Sequence, residues 1–242
     1  MRVLPKLVLP LLLVLGSCLE MEQSVTIKAD GSGTHKVRMT VAEATLGDMQ
    51  KAGAAAQLGG SANPFAVFDK ELVAGELKAA GIELVSHTAE RHGRTRVVEL
   101  EAAFPDFAAL GTGPLLGSAV EWVLAPGPQK GTAKLTLYLQ GKKAWQEARE
   151  KAEQLAAESD PIAMDFFRRR MQQAKGLDLK LRVEVPGEVY VWTKNCKKVD
   201  ERAIEVRVTP ETVATPQDLV RWLSPRFEVI FDARELAVAL PE

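Results

Sequence analysis

Few side chains in this 242-residue chain are typed and spaced for chemistry. Cys196 lies in "WTKNCKKVD" beside Lys194, Lys197 and Lys198, cations that can lower a thiol pKa. A catalytic cysteine also needs a positioned base, and the sequence nominates none. The competing reading is a small half-buried side chain near a turn. The three histidines, His35, His87 and His92, all fall within expected hairpins. His87 and His92 flank one turn, but a zinc or iron site needs several His, Cys or clustered carboxylates, so a solvated turn is the simpler account. Glu99 and Glu101 share a strand face with the spacing of paired carboxylates, and equally mark the wet side of a sheet. "DGSGT" and "GTGPLLGS" resemble phosphate-cradling loops superficially, yet such loops need a strand before and a helix directly after. The first joins two strands; the second lacks the lysine and runs into a strand. No Gly-x-Ser-x-Gly elbow or His-Glu-x-x-His helix occurs. No catalytic, cofactor-binding or metal residue is therefore assigned. Two surface candidates remain. In "DFFRRRM", Phe166 and Phe167 adjoin Arg168, Arg169 and Arg170, a pattern suited to anionic lipid head groups or to an ordinary amphipathic helix. "EVYVW" is apolar on both faces and reads as a strand covered on each side, or as a pocket wall.

The chain's other cysteine carries a clearer meaning. Leu7 to Leu15 is apolar apart from Pro10 and falls short of the roughly 20 residues a membrane span requires. Arg2 and Lys6 precede it without an acid, and Gly16 and Ser17 follow, which are the parts of a secretory signal. Leu15-Gly16-Ser17-Cys18 resembles the bacterial lipobox: an aliphatic residue, two small ones, then cysteine. The resemblance implies diacylglycerol on the Cys18 sulfur, cleavage before it and Cys18 as first residue of the working protein. Residues 1–17 are then a signal peptide and 18–242 one lipid-anchored domain. Two or three acyl chains give lasting attachment where one does not. Leu19 stands where the sorting pattern of many Gram-negative lipoproteins places an aspartate for inner-membrane retention, which favours the outer membrane.

Composition is that of a globular protein, 46% hydrophobic and 26% charged. Removing Arg2 and Lys6 from 31 bases leaves 29 against 32 acids, about −3 for the mature chain. A nucleic-acid binder would show a basic face, and none is expected here. With Cys18 a thioether, Cys196 has no partner for a disulfide.

The elements that must position these residues begin with three hairpins. "VTIKADGSGTHKVRMTV", "IELVSHTAERHGRTRVVELEA" and "SAVEWVLAPGPQKGTAKLTLYL" each alternate with period two around a glycine-containing turn. Helices follow. One carries Leu46, Met49 and Gly53 on one face; another is capped by Asn63 with Pro64 at its first position. Phe65, Phe68, Leu72, Leu77 and Ala80 form the second one's inner stripe, and Gly81 ends it. A short turn is expected from Asp106 to Leu110. "KKAWQEAREKAEQLAAE" has Trp145, Ala148, Ala152 and Leu155 on one narrow face, and Ser159 or Asp160 caps a further helix through Met171. "LDLKLRVEV", "AIEVRVT" and "RFEVIFDA" read as strands, with a short helix opening at Thr215-Pro216 between the last two. Hairpins interleaved with helices predict an α+β fold, an antiparallel sheet covered by helices on one face.

The Cys18 start, the first hairpin and the "VEVPGEV" strand together resemble a loose group of bacterial surface lipoproteins, the LppM-type proteins of mycobacteria. The resemblance covers short stretches. It implies an α+β mature domain and an envelope-associated, lipid-binding role with no assigned reaction. The group also has a C-terminal membrane helix, for which "ELAVALPE" is far too short. The resulting expectation is a non-catalytic lipoprotein, tethered to the membrane and binding an amphiphile or an envelope partner protein. The alternative is a hydrolase or thiol-dependent enzyme whose site only the fold assembles.

Overall fold

A computed structural model describes residues 19–47, 66–112, 120–139, 141–157, 176–212 and 226–240. The fold is α+β, and its strands form two sheets. The larger has seven strands: β1 (Leu19–Ile27), β2 (Gly33–Ala42), β3 (Glu83–His92), β4 (Thr95–Phe104), β7 (Leu177–Glu184), β9 (Lys197–Asp200) and β10 (Ala203–Val208). Their spatial order is β3-β4-β2-β1-β7-β10-β9. The smaller sheet runs β5-β6-β11-β8, from β5 (Glu121–Pro126), β6 (Thr132–Tyr138), β8 (Val189–Trp192) and β11 (Arg226–Asp232).

The three expected hairpins are β1–β2, β3–β4 and β5–β6, all antiparallel. In the first turn Asp30 Oδ1 accepts the Ser32 amide at 3.0 Å and the Ser32 hydroxyl at 2.7 Å. Gly33, just beyond it, is required for space: a Cβ there would stand 1.9 Å from the Thr26 carbonyl oxygen and 2.4 Å from the Phe104 ring. The sequence reading does not anticipate that β1 and β7 pair in parallel, Leu19 beside Leu177 and Thr26 beside Glu184. This joins the chain's two halves at the centre of the large sheet, the long-range crossover that parallel pairing demands.

The larger of two core clusters joins both sheets, and a smaller one gathers Met39, Val41, Leu46, Phe68 and Val98. Val25, Val37, Leu100 and Val183 from the large sheet meet Leu135, Phe227 and Phe231 from the small one. Helix α1 (Lys70–Ala79) and helix α2 (Phe107–Thr112) lie on this inner face, contributing Val73, Leu77 and Leu110. Helix α3 (Gly141–Ala157) sets Trp145 on Tyr138 of β6, ring centroids 5.7 Å apart.

The boundaries of α1 differ from the expectation. Asn63 and Pro64 lie outside the described residues. The observed cap is Asp69, whose carboxylate accepts the amides of Glu71 at 3.0 Å and Leu72 at 3.1 Å. Residues 66–68 form a separate 3₁₀ turn. Leu72, placed on the inner stripe, is exposed and its neighbour Val73 is buried in its place, one turn before Leu77, which is buried as expected. The exit is as expected. Gly81 has φ +73°, its amide donates to the Lys78 carbonyl at 3.1 Å and Ile82 donates to Leu77 at 2.9 Å, the paired bonds of a Schellman stop. Asp106 caps α2 by accepting the Ala109 amide at 2.8 Å, in agreement with the turn expected there.

Candidate functional site

Strand alternation sends apolar residues of the large sheet inward, and every intervening residue must face the other way. Among the described residues no helix or strand covers that outer face. Two cross-strand rows define its centre. The first runs Lys197, Glu205, Arg182, Ser24, Lys36, Glu101, Ser86 from β9 to β3. The second runs Arg207, Lys180, Glu22, Arg38, Glu99, Thr88 from β10 to β3. Long charged side chains thus stand around two serines, leaving a depression of about 340 Å³ lined by both rows.

Opposite charges on neighbouring strands pair. Lys36 lies 3.4 Å from Glu101, Arg38 3.3 Å from Glu99, and Lys180 3.4 Å from Glu205 and 3.8 Å from Glu22. Arg182 reaches Glu184 at 3.7 Å and Asp200 at 3.8 Å. These are longer than the ~2.8 Å of a charge-assisted hydrogen bond, and exposed pairs of this kind contribute about 0–1 kcal/mol each. Arg207 is held more firmly, donating two hydrogen bonds to Asp178. That contact holds the Asp178 carboxyl below its ordinary pKa. Glu99 and Glu101 accordingly belong to the wet face, each beside a cation.

The other sequence candidates are dispersed. Cys196 is buried within the core cluster, and burial pushes its thiol pKa up, against a weaker opposing effect of Thr193, 3.4 Å away. Lys198 turns away, donating to the Val189 carbonyl at 2.8 Å. This is the reverse of the setting that activates a thiol. His87 and His92 occupy the same strand and bind different partners: the Val67 carbonyl at 2.8 Å and Glu90 at 2.9 Å, respectively. Among the described residues no group of three His, Cys, Asp or Glu is placed to hold a metal. Cys18, Arg168, Arg169 and Arg170 lie outside the described residues, as does most of "GTGPLLGS".

The "EVYVW" strand corrects its sequence reading. β8 is an edge strand whose Val189 is buried while Tyr190, Val191 and Trp192 are exposed. A bulge between Ile230 and Phe231 interrupts its pairing with β11, so strict alternation fails there. The Tyr190 hydroxyl donates to Asp232 Oδ2 at 3.1 Å.

Sequence reasoning missed His35. It looks inward from β2, 3% exposed, between Val25 of β1 and Ala102 of β4 in cross-strand register. Its Nε2 lies 2.9 Å from Oε1 of Gln23. Burial lowers its pKa to about 3, so the ring is neutral. The available signal was its place in phase with Val37, Met39 and Val41 on the apolar face.

No family model matches the chain, and no curated protein matches it. Among solved structures it is similar to the folded domain of the LppM protein of Mycobacterium tuberculosis, determined by NMR. The match has 13% identity and a TM-score of 0.39, covering 90% of this chain and 91% of that one. No helix among the described residues is long and apolar enough to cross a membrane.

Proposed function

We propose that the chain is a bacterial envelope lipoprotein: residues 1–17 are removed as a signal peptide, and Cys18 carries the lipid. Residues 18–242 then form a single non-catalytic domain that binds an amphiphile or an envelope partner protein. The observation that carries this reading is the sequence Leu15-Gly16-Ser17-Cys18 placed directly before an ordered domain. β1 begins at Leu19, whose amide donates to the Gly176 carbonyl at 3.0 Å. The anchor therefore attaches to the central strand of the large sheet without an intervening linker. It holds the Leu19 end of the sheet close to the bilayer and leaves the charged outer face open to the envelope space. Leu19 after the cysteine favours outer-membrane sorting, and Arg168, Arg169 and Arg170 contact lipid head groups.

Incorporation of labelled palmitate in the native host tests the anchor. Wild type should be labelled and recovered with membranes, and Cys18→Ala should be unlabelled. Persistent labelling of Cys18→Ala would overturn the assignment. Binding is tested separately, by whether the purified protein retains an envelope lipid or captures an envelope protein.

A further inference from the structure

We infer that Ser24 marks a binding site for a phosphate-type oxyanion on the open face of the seven-stranded sheet. This goes beyond the anchor reading and does not depend on it. Three adjacent strands set the geometry. Ser24 of β1 stands in register between Arg182 of β7 and Lys36 of β2, so a cation flanks a hydroxyl on each side. The two outer backbones are two strand spacings apart, roughly 10 Å, a gap that both long side chains can close over a small anion. Both carboxylates of that row, Glu205 and Glu101, lie beyond the cations, and neither lies between them. One residue pair further along, Lys180 and Arg38 flank Glu22 in the same way.

Seven of these eight residues, all but Glu205, line the same depression of about 340 Å³. Its floor exists because Ser24 and Ser86 are short where their neighbours are long. The lining carries four cations against three carboxylates, Glu22, Glu99 and Glu101. The cations are only loosely held: Lys36 and Arg182 approach their carboxylates at 3.4 to 3.8 Å. Arginine's planar fork suits two oxygens of a phosphate, lysine supplies a point charge, and the serine hydroxyl donates a third bond. A dianion there gains shorter, charge-assisted bonds and displaces only weak surface pairs.

The test uses the full chain carrying Cys18→Ala, so that no acyl chain enters the assay, in nonionic detergent. Inorganic phosphate is titrated against a chloride control of equal ionic strength, and binding is read by calorimetry. In a second arm, detergent micelles doped with phosphatidic acid replace free phosphate. Saturable binding in either arm is expected. Phosphate alone assigns the site to a soluble phosphate compound, and doped micelles alone assign it to a lipid head group. Combined Lys36→Gln and Arg182→Gln should weaken binding at least about tenfold, as expected for losing hydrogen bonds from charged donors. Ser24→Val, which keeps every charge and suits a strand, should also weaken it, whereas Glu101→Gln should leave it unchanged or tighter. Absence of binding in both arms overturns the inference. So does binding that survives both Ser24→Val and the double substitution.

Discussion

Lowering the pH from 7.5 to 5 should destabilise this fold by about 2 kcal/mol through His35 alone. His35 is 3% exposed, and burial lowers its pKa from the ordinary 6.5 to about 3. Its hydrogen-bond partner, Gln23, carries no charge, and its cross-strand neighbours Val25 and Ala102 are apolar. No carboxylate on these strands rewards a proton on the ring. The unfolded chain therefore takes up a proton below pH 6.5 and the native chain does not, until pH falls to about 3. Stability is present above the unfolded pKa and is lost as pH falls, by about 1.4 kcal/mol per unit. At pH 5 the interval is roughly 1.5 units, which gives the stated ~2 kcal/mol. Urea unfolding at both pH values should measure it. The comparison is a double variant, Gln23→Met with His35→Leu, which removes both partners and so leaves no buried polar group unsatisfied. Other groups titrate alike in both proteins, so the difference between their pH effects isolates the histidine. If wild type and the double variant lose equal stability between pH 7.5 and 5, the ring is not neutral and buried as described, and the reasoning fails.

The remaining predictions concern space and reactivity. Gly33→Ala should cost about 1–3 kcal/mol or more in urea unfolding, the range for overpacking, because its Cβ would meet Thr26 backbone and the Phe104 ring at 1.9 and 2.4 Å. Stability near wild type would show that the β1–β2 turn can shift. Cys196 is buried and its thiol pKa is raised, so iodoacetamide at pH 8 should modify the folded protein at least about a hundredfold more slowly than the urea-unfolded chain. Rapid modification of the native thiol would restore the thiol-enzyme alternative.

The hairpins were legible because alternation is local: side chains two apart share a face whatever lies elsewhere in the chain. Gly81 and Asp106 announced helix ends for the same reason, since a cap is satisfied within a few residues. Asp69 escaped notice because Asn63-Pro64 offered an equally good local start, and only packing of Val73 and Leu77 against the sheet decides between such signals. "EVYVW" misled because composition cannot tell a strand buried on both faces from an exposed edge. Its environment depends on β11, more than thirty residues away in the chain.

The sequence by itself determined the lipobox pattern at Cys18, the strand pairs and their turns, the near-balanced charge and the α+β class. The strand pairs and turns rest on interactions between residues close in the chain, and the charge and the lipobox are read from residue types alone. Tertiary structure alone decided that β1 and β7 lie side by side in parallel, and this has the larger consequence for function. Arg182 and Lys36 are 146 positions apart in the sequence, and no periodicity relates them. They flank Ser24 only because the central pairing sets Ser24 opposite both. The pairings of β2 with β1 and β4 likewise set His35 between Val25 and Ala102, with Gln23 2.9 Å from its ring. Local pattern says which face a side chain occupies; long-range strand pairing says what it faces.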